Sequence, residues 1–350
     1  KKINFHMKKL LLLSLSIIFI MIIVSSQGFL GSNVDICAYR VIPNNPFRLI
    51  EFVGGHIATL TYKSNYIAPY FISSLLFVSF FFYINKILKK LSIYQKSKLF
   101  TNKQRELYSL TIATSSLLIW PFYIYLTNAL RQGVAIGFAV VTMNLLISDN
   151  FKFKNFLLLI SFLLVAFSHK SGLLFIFAMG FSFFQSALIN KINFSQVNKK
   201  ILSIVTSIIA VFGIIQITGI DKHVHKTLGF EMGIPLMILS IFSIFLLLSR
   251  YNIQKSVFPF TLFNINLFFS LLIIFIYDNS YSSERLFPYF LITIFPIILE
   301  IFVLKIKQTI FTIFLIIFLG FSITFLSGQY ISNFEHSIDK GRWCSKINEL

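Results

Sequence analysis

Three short polar clusters interrupt the apolar runs of this 350-residue chain, and each contains a side chain that can do chemistry. In the first cluster, Arg131 follows Asn128, a preferred N-cap residue, and precedes Gln132. Backbone N–H groups and the helix dipole favour an anion at a helix start, and a guanidinium there completes a phosphate site. The alternative is an arginine that reaches lipid headgroups from a helix end.

The second cluster is His169, Lys170 and Ser171, a polar break between two apolar runs. An imidazole titrates near neutral pH and is therefore suited to removing a proton from a hydroxyl group. The alternative is a histidine that only ends a helix, with Lys170 at the headgroups and Ser171 as the cap of the next helix.

The third cluster contains Glu284, Arg285 and Pro288. The pattern predicts that Arg285 heads a helix, because Pro288 is tolerated in a first turn. This arginine has the same phosphate-binding chemistry as the first one. A purely structural pairing of Glu284 with Arg285 is the alternative.

The elements that position these clusters are long apolar segments. The chain is 56% hydrophobic and only 12% charged, which is too apolar for a single water-soluble core and indicates a membrane protein. A spanning helix needs about 20 mostly apolar residues. On that criterion the sequence predicts an all-α bundle of eleven transmembrane helices, near residues 10–30, 67–85, 107–126, 129–148, 152–168, 171–189, 201–220, 233–249, 257–277, 286–304 and 308–327.

The net charge of +19 is explained by topology and not by nucleic-acid binding. Most of the 31 basic residues fall in alternate connections, while the other connections hold most of the 12 acidic residues. The positive-inside rule then predicts an inside N-terminus, an outside C-terminus and all three polar clusters at the outer face. Cys37 and Cys344 lack metal-ligand spacing. The sequence allows a single disulfide bridge between them and does not decide whether it forms.

The whole chain, residues 1–350, is predicted to form one integral membrane domain. Its outer segment 31–66 combines Gly, Pro and Asn with the apolar run 47–52, which predicts a partly helical cap on the membrane. The inner loop 86–106 is a basic connector suited to anionic headgroups, and residues 328–350 form an outer tail. Residues 1–6 precede Met7, which has the features of a natural start, and the first helix is expected to be retained instead of cleaved as a signal peptide.

The order of these motifs resembles the EpsG family, which is Wzy-like. The resemblance covers most of the chain and rests on short motifs: Asp35-x-x-x-Tyr39 after the first span, Arg131-Gln132, His169-x-Ser171, and Arg285 followed by Tyr289. It implies polymerisation of exopolysaccharide, capsule or O-antigen repeat units, carried on undecaprenyl diphosphate, at the outer face of the cytoplasmic membrane. The partners implied are this lipid-linked oligosaccharide, the bilayer, a flippase and a chain-length regulator, with no nucleic acid.

Residue by residue, the resemblance assigns catalysis to Arg131, His169, Arg285 and Asp35, and substrate binding to Gln132, Ser171, Tyr39 and Tyr289. The expected mechanism uses no metal or cofactor. The two arginines would stabilise charge on the departing diphosphate. His169 is the candidate general base and Asp35 competes for that role.

Four rival functions remain at this point. A secondary transporter would contain paired half-length helices broken by Gly or Pro, which the sequence lacks. A flippase for lipid-linked oligosaccharides would place basic residues in the middle of several spans, whereas the basic residues here gather at helix ends. An O-antigen ligase uses the same donor chemistry and is poorly separated from a polymerase. A metal-dependent transferase needs a close pair of carboxylates, as in Asp-x-Asp or Asp-Asp, and Asp35 has no acidic neighbour at that spacing.

Overall fold

The structure is a computed structural model that describes residues 52–63, 67–94, 101–118, 130–149, 152–219, 233–253 and 256–305. The described residues are helical with turns and contain no strand, which confirms the predicted all-α class. The predicted spans at 10–30 and 308–327, the tail 328–350 and both cysteines lie outside the described residues.

Ten helices are described, and every predicted span between residues 67 and 304 falls on one of them. In chain order they are α1 Phe52–Lys63, α2 Ile67–Tyr94, α3 Asn102–Leu118, α4 Leu130–Leu146, α5 Lys154–Ala166, α6 Lys170–Lys191, α7 Gln196–Thr218, α8 Gly233–Arg250, α9 Phe260–Phe275 and α10 Ser280–Lys305. Helix α1 lies within the predicted segment 31–66, and residues 47–51 of the apolar run lie outside the described residues.

Three helices in the described part of the chain are long and apolar enough to cross a membrane. They are Phe71–Tyr94 within α2, Lys170–Lys191, and Gln196–Thr218. Four further apolar helices, α4, α5, α8 and α9, are shorter. Helix α5 has 13 residues, so it is roughly 20 Å long, against about 30 Å for the hydrocarbon core of a bilayer.

Helices α3 and α7 have well-defined caps. At the start of α3, the Gln104 N–H donates to Thr101 Oγ1 at 3.3 Å and the Thr101 N–H donates to Gln104 Oε1 at 3.0 Å, a reciprocal capping box. Ser195 caps α7 by accepting the Asn198 N–H. Gly219 ends α7 with a φ of +59°, a left-handed conformation that glycine adopts without strain.

The described residues group into two compact units. The first unit contains the described residues up to 89 and those between 101 and 172. Within it, α4 packs against both α1 and α5. The buried face of α2 supplies large core side chains, among them Phe77, Phe80 and Tyr83.

Basic side chains of the first unit make specific contacts within the protein. Lys154 Nζ donates to Ser148 O at 2.6 Å, next to the C-terminal end of α4, and Lys86 Nζ donates to Ser148 Oγ. A cation is favourable at this end of a helix, where the dipole is negative. Arg105 Nε donates to Asn85 Oδ1 at 2.9 Å. The basic segment 86–106 therefore has intramolecular partners at both of its ends, and α2 extends into it as far as Tyr94.

The second unit contains residues 90–94 and the described residues between 173 and 305, and α9 lies at its centre. Residues 260–273 of α9 are all buried, and this helix packs against α7, α8 and α10. A hydrogen-bonded relay crosses three helices: Ser243 Oγ donates to Asn266 Oδ1 at 2.7 Å, and Asn266 Nδ2 donates to Thr293 Oγ1 at 3.2 Å. In an apolar bundle such bonds fix which helix faces meet.

A buried carboxyl group holds the connection between α8 and α9. The oxygens of Glu300, on α10, accept the Ser256 hydroxyl at 2.8 Å and the Val257 N–H at 3.0 Å. Ser256 Oγ in turn accepts the Phe258 N–H, and the Tyr251 hydroxyl donates to Phe258 O at 2.9 Å. Burial raises the pKa of the Tyr251 hydroxyl, which therefore stays protonated and able to donate.

Replacing Glu300 with alanine is expected to lower the free energy of unfolding by about 2–4 kcal/mol, because the Ser256 hydroxyl and the Val257 N–H lose their acceptor. The Glu300→Gln variant keeps one acceptor oxygen and should lose less than half as much. Thermal and denaturant unfolding in detergent micelles measures both. Equal losses would contradict the acceptor role.

Candidate functional site

Arg131 and Gln132 lie in the first turn of α4, as the sequence predicts. The helix begins at Leu130, so the Asn128 cap falls outside the described residues. Arg131 is half-buried, and Gln132 is 1% exposed. Arg131 therefore belongs to the turn whose backbone N–H groups have no intrahelical acceptors.

His169 is the residue immediately before α6, and its ring caps that helix. Nδ1 of His169 lies 2.8 Å from Ser171 Oγ and accepts the Ser171 N–H at 3.1 Å. Ser171 is the second residue of α6, so this is the usual geometry of an N-cap side chain. Both residues are buried, at 7% exposure each.

This contact decides which ring nitrogen of His169 carries the proton. A backbone N–H can only donate, so Nδ1 must present its lone pair to Ser171, and the neutral ring carries its proton on Nε2. In this tautomer Nε2 is a hydrogen-bond donor. A general base at Nε2, the role expected from the sequence, would need the other tautomer and would leave the Ser171 N–H without this acceptor.

The start of α1 closes over the turn that precedes His169. The Val53 N–H donates to Phe167 O at 2.8 Å. A Cβ atom placed on Gly54 would lie 2.1 Å from Ser168 O, so glycine is what allows the two backbones to approach. On the other side of the turn, a Cβ on Gly172 would lie 2.3 Å from Val165 O.

These contacts bring three helix starts to one end of the first unit. Helices α4 and α5 pack side by side and are joined by a short connection, so they run antiparallel, and the start of α4 lies at the same end as the end of α5. The start of α1 contacts the turn after α5, and α6 begins directly after that turn. We call this end, with Arg131, Gln132, His169 and Ser171, the N-terminal cluster.

The N-terminal cluster has the electrostatics of an anion site. Each helix start leaves backbone N–H groups without intrahelical acceptors and carries the positive end of a helix dipole. Arg131 adds a full positive charge, and a guanidinium can bind two oxygens of one phosphate. The described residues contain no group of three His, Cys, Asp or Glu side chains placed to hold a metal ion.

Arg285 and Tyr289 belong to the second unit, and their surroundings correct the sequence prediction. Helix α10 begins at Ser280, where Asn279 Oδ1 accepts the Ser282 N–H at 3.1 Å, so Arg285 lies in the second turn and does not head the helix. Pro288 is likewise inside the helix and not in its first turn. The half-buried Arg285 remains a candidate on its chemistry alone.

Tyr289 is fully buried in an aromatic cluster. Its ring centroid lies 5.3 Å from that of Phe175 and 6.1 Å from that of Phe269, which also contact each other. This position makes the ring part of the core of the second unit. Asp35 and Tyr39 lie outside the described residues.

No protein family, curated protein or solved structure matches the chain, so no relative assigns a role to any of these residues.

Two residues next to the N-terminal cluster are not identified by the sequence analysis. Val53 and Gly54 were not candidates, although the Gly54-Gly55 pair marks a place where backbones can approach closely.

Proposed function

We propose that this chain is a multi-pass membrane glycosyltransferase. It would join oligosaccharide repeat units carried on undecaprenyl diphosphate, at the outer face of the cytoplasmic membrane. The eleven spans, the inside N-terminus and the outside C-terminus predicted from the sequence belong to this proposal. The observation that carries it is the N-terminal cluster, because a diphosphate leaving group needs positive charge.

The reaction would be a single displacement at the anomeric carbon. An acceptor hydroxyl oxygen forms a bond to that carbon while the bond from the carbon to the diphosphate oxygen breaks. Negative charge then develops on the diphosphate, where Arg131 and the helix starts would stabilise it. Preorganised donors of this kind replace the divalent metal that other transferases use for the same charge.

His169 would act in this reaction as a donor through Nε2–H to a diphosphate oxygen. This role fits the tautomer that the Ser171 N–H selects. The acceptor hydroxyl then needs another base, and Asp35 is the candidate that the sequence offers. Arg285 remains a proposed phosphate ligand, tested by its own variant.

The test is complementation of a strain that lacks its surface-polysaccharide polymerase but makes the repeat unit. The wild-type chain should restore long glycans on a gel, at matched membrane expression. In a flippase-deficient strain, repeat units accumulate at the inner leaflet, and their outward movement on expression of the chain would indicate a flippase instead. In a ligase-deficient strain, long chains form but fail to reach their final acceptor, and restored transfer would indicate a ligase.

Variants of His169, tested in the same strain, distinguish its role as a helix cap from its proposed role in the reaction. Asparagine is a preferred N-cap residue, so His169→Asn should fold with nearly wild-type stability and still lower glycan extension by roughly 10²-fold or more, the cost of losing one donor to developing charge. His169→Ala should lose the same activity and, in addition, about 0.5–2 kcal/mol of stability. A fully active His169→Asn variant would show that the residue is only a cap.

A further inference from the structure

Basic side chains gather at the end of the first unit opposite the N-terminal cluster. Helix α4 begins in that cluster and has 17 residues, so its other end lies roughly 25 Å away. There the Ser148 hydroxyl donates to Asn144 O at 2.6 Å and accepts from Lys86 Nζ, while Lys154 Nζ donates to Ser148 O at 2.6 Å. Two ammonium groups, one from α2 and one from α5, therefore meet at one serine.

Helix α3 reaches the same end with its first turn. Arg105 Nε donates at 2.9 Å to Oδ1 of Asn85, the residue before Lys86 in α2. Three further lysines lie within three residues of these contacts along the chain and are exposed: Lys89, Lys103 and Lys152. We call the six basic residues together the basic end: Lys86, Lys89, Lys103, Arg105, Lys152 and Lys154.

The basic end carries an excess of positive charge. The acidic side chains next to it among the described residues are Glu106 and Asp149, so six basic and two acidic groups leave a formal charge of +4. A surface with one sign of charge attracts a partner of the opposite sign. The partner of this surface is therefore expected to be an anion.

Exposed apolar rings lie beside this charge. Phe153 and Phe156, on either side of Lys154 in the sequence, are each 60% exposed. Lys152 Nζ lies 5.7 Å from the centroid of the Phe153 ring. An anionic phospholipid matches both features, because its headgroup is charged and its acyl chains are apolar. A soluble anion matches only the charge and would leave the two rings in water.

The length of α2 is consistent with a position at the level of the headgroups. The helix begins at Ile67, and Lys86 lies roughly 29 Å further along it, against about 30 Å for the hydrocarbon core of a bilayer. In the proposed transmembrane arrangement, Lys86 and Lys89 would therefore lie where the hydrocarbon ends.

We propose that the basic end is a binding surface for anionic phospholipids. The headgroup phosphates contact the exposed Lys89, Lys103 and Lys152, and the acyl chains lie along Phe153 and Phe156. The sequence alone suggests headgroup attraction for the segment 86–106, and the structure adds the start of α5 to the same surface. The inference does not depend on the proposed transferase reaction, which takes place at the opposite end of the first unit.

Binding of phosphatidylglycerol to the purified chain in neutral detergent, measured by native mass spectrometry, tests this proposal. The wild-type chain should bind phosphatidylglycerol more tightly than phosphatidylcholine. The double variant Lys103→Gln/Lys152→Gln should weaken the binding of phosphatidylglycerol by roughly 30-fold, at about fivefold for each lysine near an anionic headgroup. It keeps Lys86, Arg105 and Lys154, so the contacts that join the helix ends are retained.

The matched control is Lys191→Gln/Lys199→Gln, which removes the same charge from the second unit and should leave the binding unchanged. Equal affinity of the wild-type chain for the two lipids would overturn the proposal without any variant. Equal weakening in both double variants would show attraction to the net charge of the chain instead of a surface. Displacement of the lipid by an equal concentration of glycerol phosphate would show a site for free phosphate and would overturn the proposal as well.

Discussion

Replacing Arg131 with alanine is expected to lower the rate of glycan extension by roughly 10²–10³, the usual cost of removing one preorganised contact to developing charge. The physical reason is the position of Arg131 in the first turn of α4, where its charge adds to that of the helix starts around it. Extension is measured as glycan length per unit of membrane-inserted protein. Binding of undecaprenyl diphosphate to the purified chain should weaken in parallel.

Arg131→Lys and Arg105→Ala are the informative controls. Lysine keeps the charge but cannot bind two phosphate oxygens in a planar fork, so Arg131→Lys should recover only part of the rate. Arg105 also lies in the first unit, but it binds Asn85 and belongs to α3. Arg105→Ala should therefore leave diphosphate binding unchanged. Loss of extension in Arg131→Ala with unchanged diphosphate binding and unchanged stability would refute the assigned role.

The positions of the helices could largely be predicted from the sequence, because hydropathy registers the apolar centre of each helix. The ends of the helices could not be predicted in this way, because the polar first and last turns of a helix have the same low hydropathy as loops. Helix α3 begins at Asn102 and not near 107. Its start is marked in the sequence by the capping-box residues Thr101 and Gln104, which hydropathy does not detect. Helix α10 begins at Ser280 and not at 286, after the cap residue Asn279.

The candidate site likewise has features that the sequence predicts and features that it does not. The types of Arg131, His169 and Ser171 and their order predicted a polar cluster, and the structure places them at helix starts at one end of the first unit. The proton position on His169 was not predictable, because it depends on a backbone N–H that only the folded turn supplies. Tyr289 is a candidate because it follows Arg285 along the chain, and its place in the sequence carries no information on burial.

The short length of α5 determines where the turn before His169 lies. In the proposed transmembrane arrangement, a helix of roughly 20 Å would end before it had crossed a hydrocarbon core of about 30 Å, and the turn after it would expose backbone groups near the membrane. Irregular backbone at that depth is tolerated where protein covers it. The Val53 N–H provides such cover for Phe167 O. Close contact between α1 and this turn is therefore required by the backbone as well as by the cluster.

Replacing Gly54 with alanine is expected to displace α1 from the His169 turn. The new Cβ would lie 2.1 Å from Ser168 O, and because that atom belongs to the backbone, no side-chain rotation relieves the clash. We expect a loss of about 1–3 kcal/mol in the free energy of unfolding, as for other overpacked sites. Glycan extension should fall further than stability alone explains, since the turn that carries His169 must move. Unfolding in detergent and glycan length in the complemented strain measure the two effects.

Gly213→Ala on α7 is the matched control, because a Cβ on this exposed helical glycine has nothing within 4 Å. It should stabilise the chain by about 0.5–1 kcal/mol through the higher helix propensity of alanine, and leave extension unchanged. Gly172→Ala, whose Cβ would lie 2.3 Å from Val165 O, should reproduce the Gly54→Ala phenotype from the other side of the turn. If Gly54→Ala were as stable and as active as Gly213→Ala, α1 would not pack on the turn as described, and one of the three helix starts would be lost from the proposed anion site.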